Sequence, residues 1–121
     1  MEHSEFDLFS GVTLERFEER VLEDKWPSFP GLYAFENEAG ETIYVGQSKG
    51  VRSRILAHRR EKSWWPEVKK IHTFEMYGDV ECRLIAETGL ILRLRPLYNK
   101  TIKIGIANDG HLYELNFVRA G

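Results

Sequence analysis

The sequence predicts an α/β (α+β) fold built on a small antiparallel sheet, and three observations point to it. Two short segments rich in aromatic and β-branched residues, 31–35 and 42–45, flank a turn-forming stretch and are typical of a β-hairpin. Apolar residues recur at helical spacing in 51–61 and 79–93, and 71–77 alternates between apolar and polar. We therefore expect a three-stranded antiparallel sheet flanked by helices, with an added N-terminal helix and a C-terminal β-hairpin.

Length and composition limit the protein to one ordinary globular domain. The chain has 121 residues, of which 42% are hydrophobic and 30% are charged, so we treat residues 1–121 as a single domain. Its single cysteine, Cys82, excludes an internal disulfide framework and a cysteine-based zinc site. The chain starts with acidic and polar residues and has no apolar run of about 20 residues. We expect a cytoplasmic protein without a signal peptide or membrane contact.

The first 29 residues are expected to form a helical extension. Three apolar residues recur at positions i, i+3 and i+7: Leu14, Phe17 and Val21. Thr13 is suited to cap this helix, and the prolines that follow residue 26 end it, which predicts a helix over Thr13–Asp24. Its outer face is acidic, so a protein partner or a second copy of the chain suits it better than nucleic acid.

The remaining elements follow from their turn and cap residues. Residues 46–50 are expected to form a polar loop before the helix over 51–61, and Ser63–Pro66 predicts a short helical turn. Asp79 is suited to cap the second helix, whose buried side we assign to Cys82, Ile85, Ala86, Gly89 and Leu90. The segment Asn108–His111 is a strong hairpin turn, which places a hairpin over 101–119.

Positive charge is concentrated in one short stretch, although the formal net charge of the chain is only −2. Residues 1–46 hold 11 acidic and 3 basic side chains, whereas residues 47–70 hold 2 acidic and 8 basic ones. A patch of this kind binds phosphates even in a protein of neutral overall charge. A solvated helix face explains the same charges without a ligand, and charge alone leaves both explanations open.

Five polar residues lie at positions where the packing of a hydrophobic core would not require them: Tyr33, Tyr44, Arg54, Glu87 and Asn99. Glu87 stands in the middle of an apolar helix, and a buried carboxylate requires a partner such as a metal ion or an arginine. Hydrolysis of a phosphodiester needs a proton acceptor, positive charge on the phosphate and help for the leaving oxygen. Taken singly, each residue also has a structural explanation; Glu87, for example, lies four residues after Arg83.

The order and spacing of these residues resemble the GIY-YIG nuclease superfamily over residues 30–100. The motifs that carry the resemblance are Gly31-Leu32-Tyr33, Tyr44-Val45-Gly46, Gln47-Ser48-Lys49, Arg54, His58, Ala86-Glu87 with Leu90-Ile91, and Arg95-Pro96-Leu97-Tyr98-Asn99. Leu32 and Val45 replace isoleucines of the family pattern. Gln47 replaces a frequent lysine and cannot take over a catalytic role of that lysine.

The resemblance implies a single divalent ion, Mg²⁺ or Mn²⁺, bound by Glu87. It implies catalytic roles for Tyr33 as general base, directly or through a relay, for Tyr44 in orienting the water or phosphate, and for Arg54 in stabilising the phosphate. The Tyr33 phenol is a general base only if a nearby cation lowers its pKa. The other implied roles are phosphate binding or proton transfer by His58, positioning of the site by Gly31, Gly46 and Asn99, and contact with the nucleic-acid backbone by Lys49, Arg52, Arg59 and Arg60.

These observations lead to one principal hypothesis and two alternatives. The principal hypothesis is a metal-dependent endonuclease that hydrolyses nucleic acid, DNA rather than RNA, by direct water attack and with low or structure-based specificity. The first alternative is a catalytically silent nucleic-acid-binding module, and the second is a recruited subunit that interacts with proteins alone. Trp64 and Trp65 either pack in the core or stack on bases, and we expect at least one to pack.

Overall fold

The computed structural model describes residues 12–106 and 112–116, and the side chains of residues 12–100. Strands β1 to β6 and helices α1 and α2, in chain order, are β1 (Glu18–Arg20), β2 (Gly31–Glu36), β3 (Thr42–Ser48), α1 (Val51–Glu61), β4 (Lys70–Glu75), α2 (Val80–Leu94), β5 (Thr101–Ile106) and β6 (Leu112–Asn116). Short 3₁₀ turns occupy Leu14–Arg16 and Trp65–Glu67. The second of these confirms the helical turn expected near the paired tryptophans.

The central sheet has four antiparallel strands in the order β1-β4-β2-β3, not the three expected. Strand β2 lies between β3 and β4, and the β2–β3 pair is the hairpin expected from the sequence. Strand β3 continues through Ser48, so the first half of the expected loop over 46–50 is strand. The outer edge of the sheet at β3 is therefore formed by the segment that carries Tyr44 and Gly46.

The expected helix over Thr13–Asp24 is wrong, because this segment supplies the fourth strand. After one 3₁₀ turn the chain extends into β1, in which Glu18 lies opposite Thr73 and Arg20 opposite Ile71 of β4. The Arg20 Nε donates a 3.0 Å hydrogen bond to the Thr73 hydroxyl. An isolated helix of about 12 residues is marginally stable in water, whereas the β4 edge offers unpaired backbone groups to an extended segment.

Helices α1 and α2 cover opposite faces of the sheet. Because side chains alternate along a strand, Tyr33 and Phe35 of β2 face α1, whereas Leu32 and Ala34 face α2. The first face packs against Val51 and Ile55, together with apolar side chains from the N-terminal segment: Leu22, Trp26 and Phe29. The second face packs against Ala86, Leu90 and Ile91 of α2.

The second helix begins as the sequence predicts. Asp79 precedes it and accepts a 3.1 Å hydrogen bond from the Cys82 backbone N–H, which satisfies one of the unpaired donors of the first turn. Its buried side is confirmed at Ala86, Gly89 and Leu90 but wrong at Cys82 and Ile85, which are exposed. Leu84 and Ile91 are buried as well, so the buried stripe is rotated by about one position.

Strands β5 and β6 pair antiparallel, which agrees with the expected C-terminal hairpin. Its turn, Asn108–His111, lies outside the described residues, as do residues 1–11 of the N-terminal extension. None of the helices in the described ranges combines the length and the apolar character that crossing a membrane requires.

Candidate active site

The two tyrosines of the paired tripeptides lie side by side on the sheet face that packs against α1. The β2–β3 register places Tyr33 opposite Gly46 and Phe35 opposite Tyr44. The rings of Tyr33 and Tyr44 are stacked with centroids 6.2 Å apart, and only 1% of Tyr33 is exposed. A Cβ on Gly46 would lie 2.3 Å from both Cζ and Oη of Tyr33. The Tyr33 ring therefore occupies the space that any side chain at position 46 would need.

Helix α1 brings two polar groups to these phenols. The Tyr33 hydroxyl and the Nε2 of His58 lie 2.7 Å apart, a hydrogen bond in which the phenol donates when Nε2 carries no proton. Only 1% of His58 is exposed, so this bond is shielded from water. Arg54, one helical turn earlier, is exposed, and its positive charge lowers the pKa of both Tyr33 and Tyr44, so its guanidinium lies near both phenols.

Helix α2 supplies the carboxylate. Glu87 is 1% exposed, and its charge raises the pKa of both Tyr33 and Tyr44, so it lies close to both phenols. The structure therefore brings Glu87 and Arg54 together on the same pair of tyrosines. This convergence from two strands and two helices is the geometry that the sequence predicts for a single site.

Burial is the largest influence on the acidity of the tyrosines. It raises the pKa of Tyr33, and the neighbouring Tyr44 raises it further, whereas the charge and hydrogen bond of Arg54 lower it by less. In Tyr44, burial and then Glu87 raise the pKa, and Arg54 lowers it. A phenolate base requires a cation that lowers the Tyr33 pKa, but among the protein groups burial outweighs the effect of Arg54, so both phenols are neutral at neutral pH.

The raised pKa of Tyr33 predicts a loss of stability at alkaline pH. The unfolded phenol ionises near pH 10, while the buried phenol keeps its proton to higher pH, so stability is full below pH 10 and falls above it. We expect Tyr33→Phe to make the free energy of unfolding fall less steeply above pH 10, by up to about 1.4 kcal/mol per pH unit. Urea unfolding at pH 8 to 11 measures this free energy, and Tyr77→Phe, at an exposed tyrosine, is the control. Equal alkaline slopes in wild type and Tyr33→Phe would contradict the prediction.

Arg83 is a cleft residue that sequence reasoning did not place in the site. It is 3% exposed and donates from Nε to the Gln47 side-chain oxygen at 3.0 Å and from Nη1 to the Gly78 carbonyl at 3.2 Å. Gln47, at the position where the family frequently has a lysine, is thus hydrogen-bonded to a positively charged side chain of α2. The sequence did offer a signal for Arg83, because it lies four residues before Glu87 and residues four apart share a helix face.

An open cleft of about 530 Å³ lies beside these groups. Its lining residues come from β2, β3, α1 and the start of α2: Tyr33, Tyr44, Gln47, Ser48, Lys49, Arg54, Val80 and Arg83. No cluster of three or more His, Cys, Asp or Glu side chains is found among residues 12–100. One buried carboxylate next to an open polar cleft does not suit zinc, which requires several protein ligands, but fits a hydrated Mg²⁺ or Mn²⁺ ion held by Glu87.

Two of the expected positioning residues have clear backbone contacts. Asn99 closes the outer edge of β3: its side-chain oxygen accepts from the Val45 N–H and its amide donates to the Val45 carbonyl, each at 2.9 Å. These bonds hold the strand between Tyr44 and Gly46. At Gly31 a Cβ would lie 2.1 Å from the Phe74 carbonyl oxygen of β4, so only glycine permits this close approach.

We expect Asn99→Ala to destabilise the protein by about 2 kcal/mol, because two buried backbone groups of Val45 lose their partners. Asn99→Asp should not restore stability, since its second oxygen cannot donate to the Val45 carbonyl. Urea unfolding measures both, with Asn37→Ala in the exposed turn before β3 as the matched control. Equal effects at positions 99 and 37 would contradict this interpretation.

The expected nucleic-acid-binding residues do not all have free side chains. Lys49 is exposed and lines the cleft, and Arg60 is exposed on α1. Arg59 is also exposed and lies 4.0 Å from the Glu23 carboxylate, a surface pair that contributes little to stability. Arg52 instead donates to the carbonyls of Leu22 and Asp24 and lies over the Trp26 ring, so it fastens the N-terminal segment to α1.

Comparison with known proteins agrees with this geometry. The family model of the UvrC-like GIY-YIG domain matches residues 29–100. UvrABC system protein C of Methanococcus maripaludis is 36% identical over 104 residues, which cover 78% of this chain and 19% of that protein. The same protein of Chlorobium luteolum is 34% identical over 100 residues, 76% of this chain and 15% of that protein. The chain therefore spans less than a fifth of the length of these relatives.

A solved structure shares the fold. The crystal structure of the GIY-YIG N-terminal endonuclease domain of UvrC from Thermotoga maritima, bound to its catalytic magnesium ion, has a TM-score of 0.53 and 29% identity. The match covers 60% of this chain and 85% of that domain. Since the family model covers more than half of the sequence and the described residues have the same fold, the chain belongs to the family of UvrC-like GIY-YIG domains.

Proposed function

We propose that the protein is a divalent-metal-dependent endonuclease that hydrolyses phosphodiester bonds, with DNA as its expected substrate. The observation that carries this proposal is the convergence of Glu87 and Arg54 on Tyr33 and Tyr44 beside an open cleft. A metal ligand, a phosphate-binding cation and two phenols are together the groups that hydrolysis of this bond requires. The magnesium-bound relative supports the same chemistry.

Proton transfer is assigned to the Tyr33–His58 pair. Burial disfavours a Tyr33 phenolate, so the phenol accepts a proton from water most readily if it passes its own proton to another group. His58 Nε2, 2.7 Å from the hydroxyl, is placed to receive that proton. We therefore favour the relay over a free phenolate, with His58 as the final proton acceptor.

The remaining residues bind and orient the phosphate and the metal ion. Arg54 is exposed next to both phenols, and its planar guanidinium suits two phosphate oxygens. Tyr44 lines the cleft beside Tyr33 and orients the water or the phosphate. Glu87 would hold a hydrated Mg²⁺ or Mn²⁺ ion. When bound, that ion supplies positive charge for the phosphate oxygens and for the leaving 3′-oxygen.

We assign the catalytic module to residues 30–100 of a single domain, with 1–29 and 101–119 as additions to it. Residues 18–20 extend the sheet and Arg52 fastens the chain that follows them, so the first addition stabilises the module. The C-terminal hairpin is a candidate surface for a protein partner or a second copy. Cleavage with low or nucleic-acid-structure-based specificity is part of this proposal.

Cleavage of labelled DNA in Mg²⁺ tests the proposal. Single-stranded, double-stranded and branched DNA and a matched RNA are incubated with the protein in Mg²⁺ or in EDTA, and the products are mapped. We expect internal cleavage of DNA in Mg²⁺ and none in EDTA. Salt-dependent binding without cleavage of any substrate would identify a silent binding module. Absence of binding would identify a subunit that acts through protein contacts alone.

A further inference from the structure

A second cleft, of about 560 Å³, adjoins the candidate active site. Tyr44 lines both clefts, so the two meet at its side chain. The second cleft is bounded by Lys62 and Trp64, which follow α1, and by Tyr98 and Lys100, which follow α2. None of these four residues is needed for the proton and metal chemistry assigned above.

The wall of this cleft is a row of stacked rings. Tyr44 and Trp64 stack with centroids 5.3 Å apart, and Trp64 and Tyr98 stack at 5.4 Å with nearly parallel planes, 3° apart. Tyr98 is held by its hydroxyl, which donates to the Glu67 carboxylate at 2.7 Å, and by its backbone N–H, which donates to the Ile43 carbonyl. The row is therefore formed before any ligand binds and extends from the catalytic phenols outward.

The rim of the cleft is positively charged. Lys62 and Lys100 are exposed on it, whereas Glu61 is the single acidic residue among those that line it. A row of stacked aromatic rings with ammonium groups at its rim matches a nucleotide, whose base can join the stack and whose phosphate the lysines can bind. A purely apolar ligand would leave the lysines unused, and a free phosphate would leave the rings unused.

We propose that this second cleft binds the nucleotide next to the scissile phosphodiester, with its base against the Trp64–Tyr98 rings and its phosphate near Lys62 and Lys100. The inference rests on the proposed nuclease function, because continuity through Tyr44 is what places this nucleotide beside the bond that is cut. A base inside a duplex cannot reach an aromatic wall without unstacking. The protein therefore prefers substrates in which the nucleotide beside the cut is unpaired.

The role of the two lysines is tested by fluorescence anisotropy. This measures the binding of a labelled single-stranded oligonucleotide in EDTA, where no cleavage occurs. We expect K62Q/K100Q to weaken binding about five- to tenfold and to reduce the slope of log K against log salt by roughly 1.4. The matched control K69Q/K70Q removes two exposed lysines before and at the start of β4. Equal losses in the two double variants would overturn the assignment of the lysines.

The base part is tested by cleavage in Mg²⁺ of single strands that carry one abasic site at successive positions around the mapped cut. We expect one adjacent abasic site to reduce kcat/KM about tenfold in wild type, and much less in Trp64→Leu. Circular dichroism checks that Trp64→Leu is folded. If cleavage is the same for every abasic position, the inference fails while the nuclease function stands. If intact substrates are not cut at all, the proposed function itself fails.

Discussion

Glu87→Gln is expected to lower cleavage at least about 10³-fold and to leave the fold intact, because one carboxylate supplies the whole metal-binding charge of the candidate site. Glutamine has almost the same shape, and the side chain is 1% exposed, so the amide occupies the same space in α2. It removes the negative charge that favours Mg²⁺ next to the two phenols and replaces one carboxylate oxygen with an amide nitrogen, which is a poorer ligand for this ion. No group of three or more His, Cys, Asp or Glu side chains that could hold a metal ion is found in the described chain, so no alternative site of that kind is available to the ion there.

Single-turnover cleavage over a range of Mg²⁺ concentrations measures this effect, and thermal unfolding checks the fold. Glu81→Gln is the matched control, because Glu81 is exposed in the first turn of the same helix. It should retain activity close to that of wild type. If Glu87→Gln cleaves within tenfold of the wild-type rate at any Mg²⁺ concentration, Glu87 does not hold the catalytic ion and the proposed mechanism is wrong.

The elements that the sequence predicts correctly are those specified by local signals. Helix α1 has the expected bounds, Val51–Glu61, and α2 starts directly after its Asp79 cap. The β2–β3 hairpin follows from aromatic and β-branched residues on either side of a turn. In each case the residues that decide the structure lie within one turn or one hairpin of each other, so the local sequence is sufficient.

Strand β1 could not be predicted in the same way, because its partner lies more than 50 residues further along the chain. Glu18 pairs with Thr73 of β4, and nothing in the local pattern specifies that pairing. The helical spacing of apolar residues has another origin. Leu14 and Phe17 pack in the cluster on the α2 face, whereas Val21, the third residue of the pattern, is 53% exposed. The three residues therefore share no buried face, and their spacing does not indicate a helix.

In the candidate site, too, the sequence predicts which residues take part but not the environment that surrounds them. Motif spacing identifies Tyr33 and Glu87, but it does not specify how strongly each is buried. Burial decides the direction of the Tyr33 pKa shift, since it outweighs the opposite effect of the Arg54 cation. The contact between Arg83 and Gln47 was not predicted either, because it joins α2 to β3 through side chains whose directions depend on tertiary packing.

Gly46→Ala should be the second most damaging single substitution, with a loss of about 2–3 kcal/mol of stability and of at least about 10² in cleavage rate. The new Cβ would lie 2.3 Å from Cζ and Oη of Tyr33 and 2.8 Å from its Cε2. The ring cannot move aside easily, because it packs against Phe35 and is hydrogen-bonded to His58. Either β3 or the Tyr33 phenol must shift, and each shift separates the two phenols from Arg54 and Glu87.

A double-mutant cycle separates this steric cause from a general intolerance of side chains at position 46. Tyr33→Phe keeps Cζ and Cε2, so Gly46→Ala should remain costly in that background. Tyr33→Leu lacks both atoms, so there the same substitution should destabilise by less than about 1 kcal/mol. Urea unfolding of the wild type and the five variants measures the cycle. A penalty of equal size in the Phe and Leu backgrounds would show that the backbone of β3 requires the glycine. The contact between Tyr33 and Gly46 would then not explain the glycine of the second tripeptide.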